Sequence, residues 1–160
     1  MTTIAYRNGV MASDSKSTND DGAFCTRVKK IYRLESGALL GAAGDCDARD
    51  VIRLLEKVRT VKTLPTRQQL ADTHCDFSGV LVLRNGEVFY IDVGPMQIGE
   101  AYEWAGSVVE VSERIAAVGS GQKFAIGAMA AGKSASEAVT IACRYDSFSG
   151  TPVHEVTLKL

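Results

Sequence analysis

Two Asn-Gly pairs, Asn8-Gly9 and Asn85-Gly86, constrain this chain more than any other feature. Asn and Gly take the left-handed backbone angles of a tight reversal at least cost. An Asn-Gly pair between two apolar runs therefore marks an antiparallel hairpin. The first pair separates residues 3–6 from 10–13, and the second separates 79–83 from 87–92. A chain built on such hairpins forms antiparallel sheets, and each sheet needs something packed on its apolar face.

The remaining elements follow from periodicity and breakers. Residues 14–27 are polar and read as a loop, 28–34 as a strand, Glu35-Ser36-Gly37 as a turn, and 38–43 as a short apolar strand. Asp47 is placed to cap a helix in which Val51, Ile52, Leu54, Leu55 and Val58 share one face. Pro65 opens a short helical turn over 66–71. Strand patterns recur at 107–111 and 115–118. Gly119-Ser120-Gly121 leads into a helix over 122–131, stopped by Gly132. Ser134-Ala135-Ser136-Glu137 has the form of a capping box for a further helix to about Tyr145. A turn at 149–152 precedes a closing strand over 154–160. The expected architecture is α+β, a single domain over 1–160 with two sheets face to face and helices outside.

Composition limits the function. With Lys plus Arg at 18 and Asp plus Glu at 19, the net charge is -1, without the basic excess that nucleic-acid binding needs. Cys25, Cys46, Cys75 and Cys143 are widely spaced and accompanied by only two histidines, which supports neither a zinc site nor a disulfide framework. They read as reduced, mostly buried thiols of a cytosolic protein. No apolar run has the length of a membrane span, and the start lacks the layout of a signal peptide.

The familiar hydrolase signatures (G-x-S-x-G, H-E-x-x-H, a phosphate-binding Walker loop) are absent. A His74-Cys75 pair is adjacent on the chain, where extended side chains point apart. Gly119-Ser120-Gly121 is either an anion-binding corner or a plain connector. Of Lys29-Lys30, one could turn inward on a strand, although a solvated edge pair is the blander alternative. Asp14 could equally cap its own turn. Thr2 carries a hydroxyl and, once Met1 is removed, an α-amine able to act as its base, titrating near ~8.

Taken in order, Thr2-Thr3-Ile4, Ala12-Ser13-Asp14, Val28-Lys29-Lys30-Ile31, Gly41-Ala42-Ala43-Gly44, Val118-Gly119-Ser120-Gly121 and Tyr145-Asp146-Ser147-Phe148-Ser149-Gly150 resemble the proteasome β-subunit family. Within it they resemble the bacterial HslV-like peptidases of the N-terminal nucleophile (Ntn) hydrolases. The resemblance spans the chain from residue 2 to the last strand. It implies a four-layer αββα sandwich of two antiparallel sheets between helix layers.

The resemblance also implies roles. Thr2 would be the nucleophile of a threonine-type endopeptidase, and Lys30 would lower the pKa of its hydroxyl, held by Asp14. The Gly44 N–H would form the oxyanion hole, while Ser120, Asp146 and Ser149 would orient the amine and a proton-relay water. No cofactor is required. In HslV-like proteins a sodium ion sits on backbone carbonyls that map to Cys143, Asp146 and Ser149. With no propeptide ahead of Thr2, activation would need only the loss of Met1. The Asp-Ser-Phe-Ser-Gly stretch is closer to proteasome β-subunits than to HslV, which suggests a separate branch.

The implied partners are copies of the chain in a homo-oligomeric, stacked ring, an ATPase unfoldase, and peptide or unfolded-protein substrates, with no nucleic acid or membrane. Two alternatives stand beside this expectation. One is a catalytically inactive proteasome-like structural or assembly subunit, the state that a retained Met1 would produce. The other is a non-proteolytic Ntn amidase.

Overall fold

The structure, a computed structural model, describes residues 2–18, 25–44 and 48–159, with the backbone alone at 25 and 26. Met1, Cys46 and the expected cap Asp47 lie outside the described residues, as does the side chain of Cys25. The first Asn-Gly pair joins β1 (Thr3–Arg7) to β2 (Val10–Ser13). Both turn residues have positive φ, 49° at Asn8 and 85° at Gly9, as a two-residue mirror-image turn requires.

The second pair joins β7 (Phe77–Val82) to β8 (Val88–Ile98) by a different turn. There Gly86 alone is left-handed, and its N–H donates to the Leu83 carbonyl at 2.9 Å. A third hairpin, β8 to β9 (Ala101–Val111), turns at Gly99-Glu100 with Gly99 at φ 63°. The strand expected at 107–111 is thus only the end of a longer one. Its outer half is exposed on both faces, so no apolar alternation announces it.

Two antiparallel sheets result. One has the order β10 (Ile115–Gly119), β1, β2, β11 (His154–Thr157). The other runs β5 (Ile31–Arg33), β6 (Leu39–Gly44), β7, β8, β9. The expected loop over 14–27 instead contains a two-stranded ribbon, β3 (Lys16–Thr18) with β4 (Cys25–Arg27). Backbone hydrogen bonds hold it, and its polar composition gave no apolar period to read. The strand expected over 28–34 is confined to β5.

Three apolar clusters place the layers. Ile4, Tyr6 and Met11 of one sheet meet Leu39, Val80 and Val82 of the other. Gly41 permits this approach, since a Cβ there would lie 2.5 Å from the Ile4 side chain. On the outer face of the five-stranded sheet, Leu81 and Ile91 pack against Val51, Leu55 and Leu70, from α1 (Arg49–Leu55) and α2 (Arg67–Ala71). On the outer face of the four-stranded sheet, Ala5, Ala12 and Ala117 pack against Met129 and Val139 of α3 (Gln122–Ala130) and α4 (Ala135–Tyr145). The alanines bring these helices close.

The caps follow the sequence where it is described. Ser134 accepts from the Glu137 N–H, as the capping box predicts, and Thr66 does the same for α2. α1 begins after Ala48 without a side-chain cap. Cys75 and Cys143 are half-buried rather than buried. No helix among the described residues is long and apolar enough to cross a membrane.

Candidate active site

The two sheets bring one end of β1, β2 and β10 beside the end of β6. Pairing of β1 with β10 sets Thr3 opposite Gly119, and Thr2 extends one residue beyond. A cleft of about 930 Å³ opens there. Thr2, Lys30, Gly44 and Ser120 line it together, from four separate places in the sequence. Thr2 is itself largely withdrawn from solvent.

Asp14 lies at the end of β2 with its carboxylate fully buried. Its Oδ1 accepts from the Thr3 N–H at 2.9 Å and from Lys30 Nζ at 2.8 Å, and its Oδ2 accepts from the N–H groups of Lys16 and Gly150, each at 3.1 Å. Lys30 is 5% exposed and also donates to the Lys16 carbonyl at 2.5 Å. Burial pushes the Lys30 pKa below its ordinary value, and the Asp14 carboxylate opposes that shift. Lys29 is exposed, so the inward lysine of the pair is the second.

A second network lies on the other side of Thr2. Asp146, at the end of α4, accepts through Oδ2 from Ser149 Oγ at 2.5 Å and from Ser120 Oγ at 2.7 Å, and its Oδ1 accepts from the Phe148 N–H at 3.3 Å. Burial alone would raise its pKa. The hydrogen bonds from Ser149, Ser120 and the Phe148 N–H outweigh burial and hold the carboxyl below the usual range. Ser120 Oγ also lies 3.3 Å from the Thr2 carbonyl oxygen. The turn at 146–150 is fastened to the Asp14 side, because the Ser15 N–H donates to the Gly150 carbonyl and Lys16 Nζ to the Ser147 carbonyl.

Two glycines fix the backbone here. Gly119 has φ 94°, and a Cβ on it would sit 1.9 Å from the Thr2 carbonyl oxygen. Gly44 has φ 122°, and a Cβ there would sit 2.3 Å from the Asp76 carbonyl oxygen. Thus Gly119-Ser120-Gly121 is a connector between β10 and α3 that also seats the residue before β1.

No family model matches the chain. In fold it is similar to BPH of Thiobacillus denitrificans, at 18% identity and a TM-score of 0.60, over 99% of this chain and 98% of that one. The likeness extends over the whole sandwich, so no layer of the fold is an addition peculiar to this chain.

Some sequence expectations do not come together. His74 packs edge-on against Trp104, at 5.7 Å between ring centroids, while Cys75 Sγ faces the Asp76 carbonyl, so the two do not form a pair. Cys143 on α4 is near the Lys30 and Asp14 charges. Burial, then the negative charge of Asp14, push its thiol up to about 11. The sodium expected on the backbone carbonyls of Cys143, Asp146 and Ser149 rests on the resemblance alone; of these, the Asp146 carbonyl accepts from the Ser149 N–H at 3.2 Å.

Sequence reading missed Thr3, which is buried and bonded to both networks. It also missed Asp76 and Ser78, which line the cleft. A hydroxyl residue next to the buried, apolar Ile4-Ala5 stretch of β1 was the available signal for Thr3.

Proposed function

We propose that this chain is a proteasome-like threonine endopeptidase subunit of the Ntn-hydrolase fold, with Thr2 as nucleophile after removal of Met1. The observation that carries this proposal is the convergence of Thr2, Lys30, Gly44 and Ser120 on one cleft, with Asp14 and Asp146 buried behind them. A threonine hydroxyl needs a base, a cation to ease its ionisation and a donor for the oxyanion.

In the proposed reaction the Thr2 hydroxyl attacks the substrate carbonyl while the freed α-amine takes its proton, directly or through water. Lys30, held in position by Asp14, stabilises the oxygen as it ionises. The Gly44 N–H stabilises the oxyanion. Collapse transfers the proton to the departing amine and leaves an ester on Thr2. Water then hydrolyses that ester and restores the hydroxyl. Ser120, Asp146 and Ser149 orient the amine that shuttles the proton.

Assembly of copies into a ring is part of the proposal, with unfolded polypeptide as substrate and an ATPase unfoldase as feeding partner. It is supported by the charge distribution along the five-stranded sheet. Glu100, Glu103, Glu110 and Glu113 are exposed on or beside edge strand β9, and none of them forms an ion pair among the described residues. On or beside the opposite edge strand β5, Lys29 and Arg33 are exposed, as is Lys57 just past α1, where Glu56 accepts from the Glu35 N–H in the β5–β6 turn. Glu35 on that side and Arg114 beside Glu113 reduce the two charges without reversing them. Unlike ends favour head-to-tail contact, the contact type from which rings are closed.

The test is hydrolysis of small fluorogenic peptides by protein whose mass confirms the loss of Met1. Thr2→Ala should abolish turnover and Thr2→Ser should retain part of it. Turnover that survives Thr2→Ala overturns the mechanism. A large particle mass supports the ring, and a monomer turning over small amides points to the amidase alternative.

A further inference from the structure

Thr3 has no part in the reaction just described, yet it is fully buried and makes contacts on three sides. Its N–H donates to Asp14 Oδ1 at 2.9 Å, and its carbonyl accepts from the Asp14 N–H at 3.0 Å. Its hydroxyl Oγ1 lies 2.6 Å from Ser149 Oγ. Space for that hydroxyl exists only because residue 121 is glycine, where a Cβ would lie 2.0 Å from Oγ1.

Proton counting fixes the direction of these bonds. A hydroxyl has one proton to give. That of Ser149 goes to Asp146 Oδ2 across 2.5 Å, the shorter and charge-assisted contact. Ser149 Oγ must therefore accept from Thr3, and Thr3 Oγ1 is the donor. Ser120 gives its own proton to the same carboxylate oxygen at 2.7 Å. The polar chain runs from Thr3 through Ser149 to Asp146, which Ser120 meets from the Thr2 side.

We infer that Thr3 is a positioning residue: its hydroxyl donor fixes the Ser149–Asp146–Ser120 network while its backbone fixes Asp14, so that one residue sets both halves of the site against Thr2. Successive side chains on an extended strand point to opposite faces. Anchoring Thr3 toward Gly121 and Ser149 therefore presents Thr2 to the cleft. This inference rests on the proposed role of Thr2.

The experiment compares Thr3→Val, which keeps the shape and removes the donor, with Thr3→Ser, which keeps the donor, in the full chain lacking Met1. Thr3→Val is expected to lower kcat about 10²-fold with little change in KM, the loss typical of slightly misplaced reacting groups. Thr3→Ser should restore most of it. In a Ser149→Ala background, Thr3→Val should add little, because the donor then has no acceptor to orient. Thr3→Ala gives the same comparison should valine prevent folding. An active wild type with undiminished kcat in Thr3→Val, or equal losses in the serine and valine variants, overturns the role of Thr3 alone. A wild type without Met1 that hydrolyses nothing overturns the Thr2 mechanism and the Thr3 role with it.

Discussion

Lys30 Nζ lies 2.8 Å from Asp14 Oδ1 with both side chains sealed from water, at 5% and 0% exposure. The pair is asymmetric in its remaining partners. Asp14 keeps three backbone N–H donors without the lysine, whereas Lys30 without Asp14 loses the carboxylate that its ammonium hydrogen-bonds. Breaking a buried pair by removing one partner costs about 3–5 kcal/mol. The cost is greater where the group left behind is the buried ammonium than where it is a carboxylate still held by three N–H donors. Asp14→Asn is therefore expected to unfold at markedly lower denaturant than Lys30→Met, while both lose peptide hydrolysis. Urea titrations of the two variants beside wild type check the order.

The same groups set the pH dependence of stability. Hydrogen bonds hold Asp146 below 3.8, so the folded state keeps this carboxyl ionised where the unfolded chain takes up a proton. Its contribution is full above 3.8 and is lost as pH falls through the folded value. Burial holds Lys30 below 10.5, so between its folded value and 10.5 the unfolded chain binds more protons and stability rises with pH. The Cys143 thiol, raised to about 11, and Tyr6, raised by burial, oppose this rise at alkaline pH. The Lys30 contribution is therefore read as the difference in unfolding midpoint between wild type and Lys30→Met. That difference should shift in favour of wild type as pH approaches 10.5, and one that stays constant would overturn the assignment.

Gly119→Ala should damage the site more than the fold. The left-handed backbone costs a non-glycine residue about 1–3 kcal/mol, and the new methyl would also strike the Thr2 carbonyl. Gly132→Ala is the matched control. Its φ is 95°, but no atom lies within 4 Å of a Cβ there. Both variants should melt at lower temperature, with hydrolysis lost only in the first. Equal activity in the two would contradict the seating of Thr2 by Gly119.

Cys143 lies close enough to Lys30 to be mistaken for a nucleophile. With its thiol pushed up to about 11, about one molecule in 10³ carries the thiolate at pH ~8. Iodoacetamide is expected to modify Cys143 far more slowly than an unhindered cysteine, as peptide mapping by mass spectrometry would read. Peptide hydrolysis carried by Thr2 should continue through that treatment.

Much of the fold was legible because it rests on local rules. Asn8-Gly9 turned as read, Ser134 and Glu137 capped each other, and the Val51–Leu55–Val58 stripe is buried. Features without a local apolar period escaped: the polar ribbon β3–β4, and the exposed outer halves of β8 and β9. At the candidate site, Lys30 was legible as one of two alternating lysines, but Thr3 was not. Its importance comes from Asp14, Gly121 and Ser149, residues 11, 118 and 146 positions away.

By itself the sequence determined where the chain reverses, which helices are capped and which side chains carry usable chemistry, since each depends on a few neighbouring residues and their backbone angles. Only the tertiary structure decided which of those side chains meet. Strand pairing across the whole chain sets Thr3 against Gly119, and sheet stacking brings Gly41 onto Ile4. The contacts that join Asp14, Lys30 and Asp146 around Thr2 exist only once the two sheets have closed on each other and excluded water.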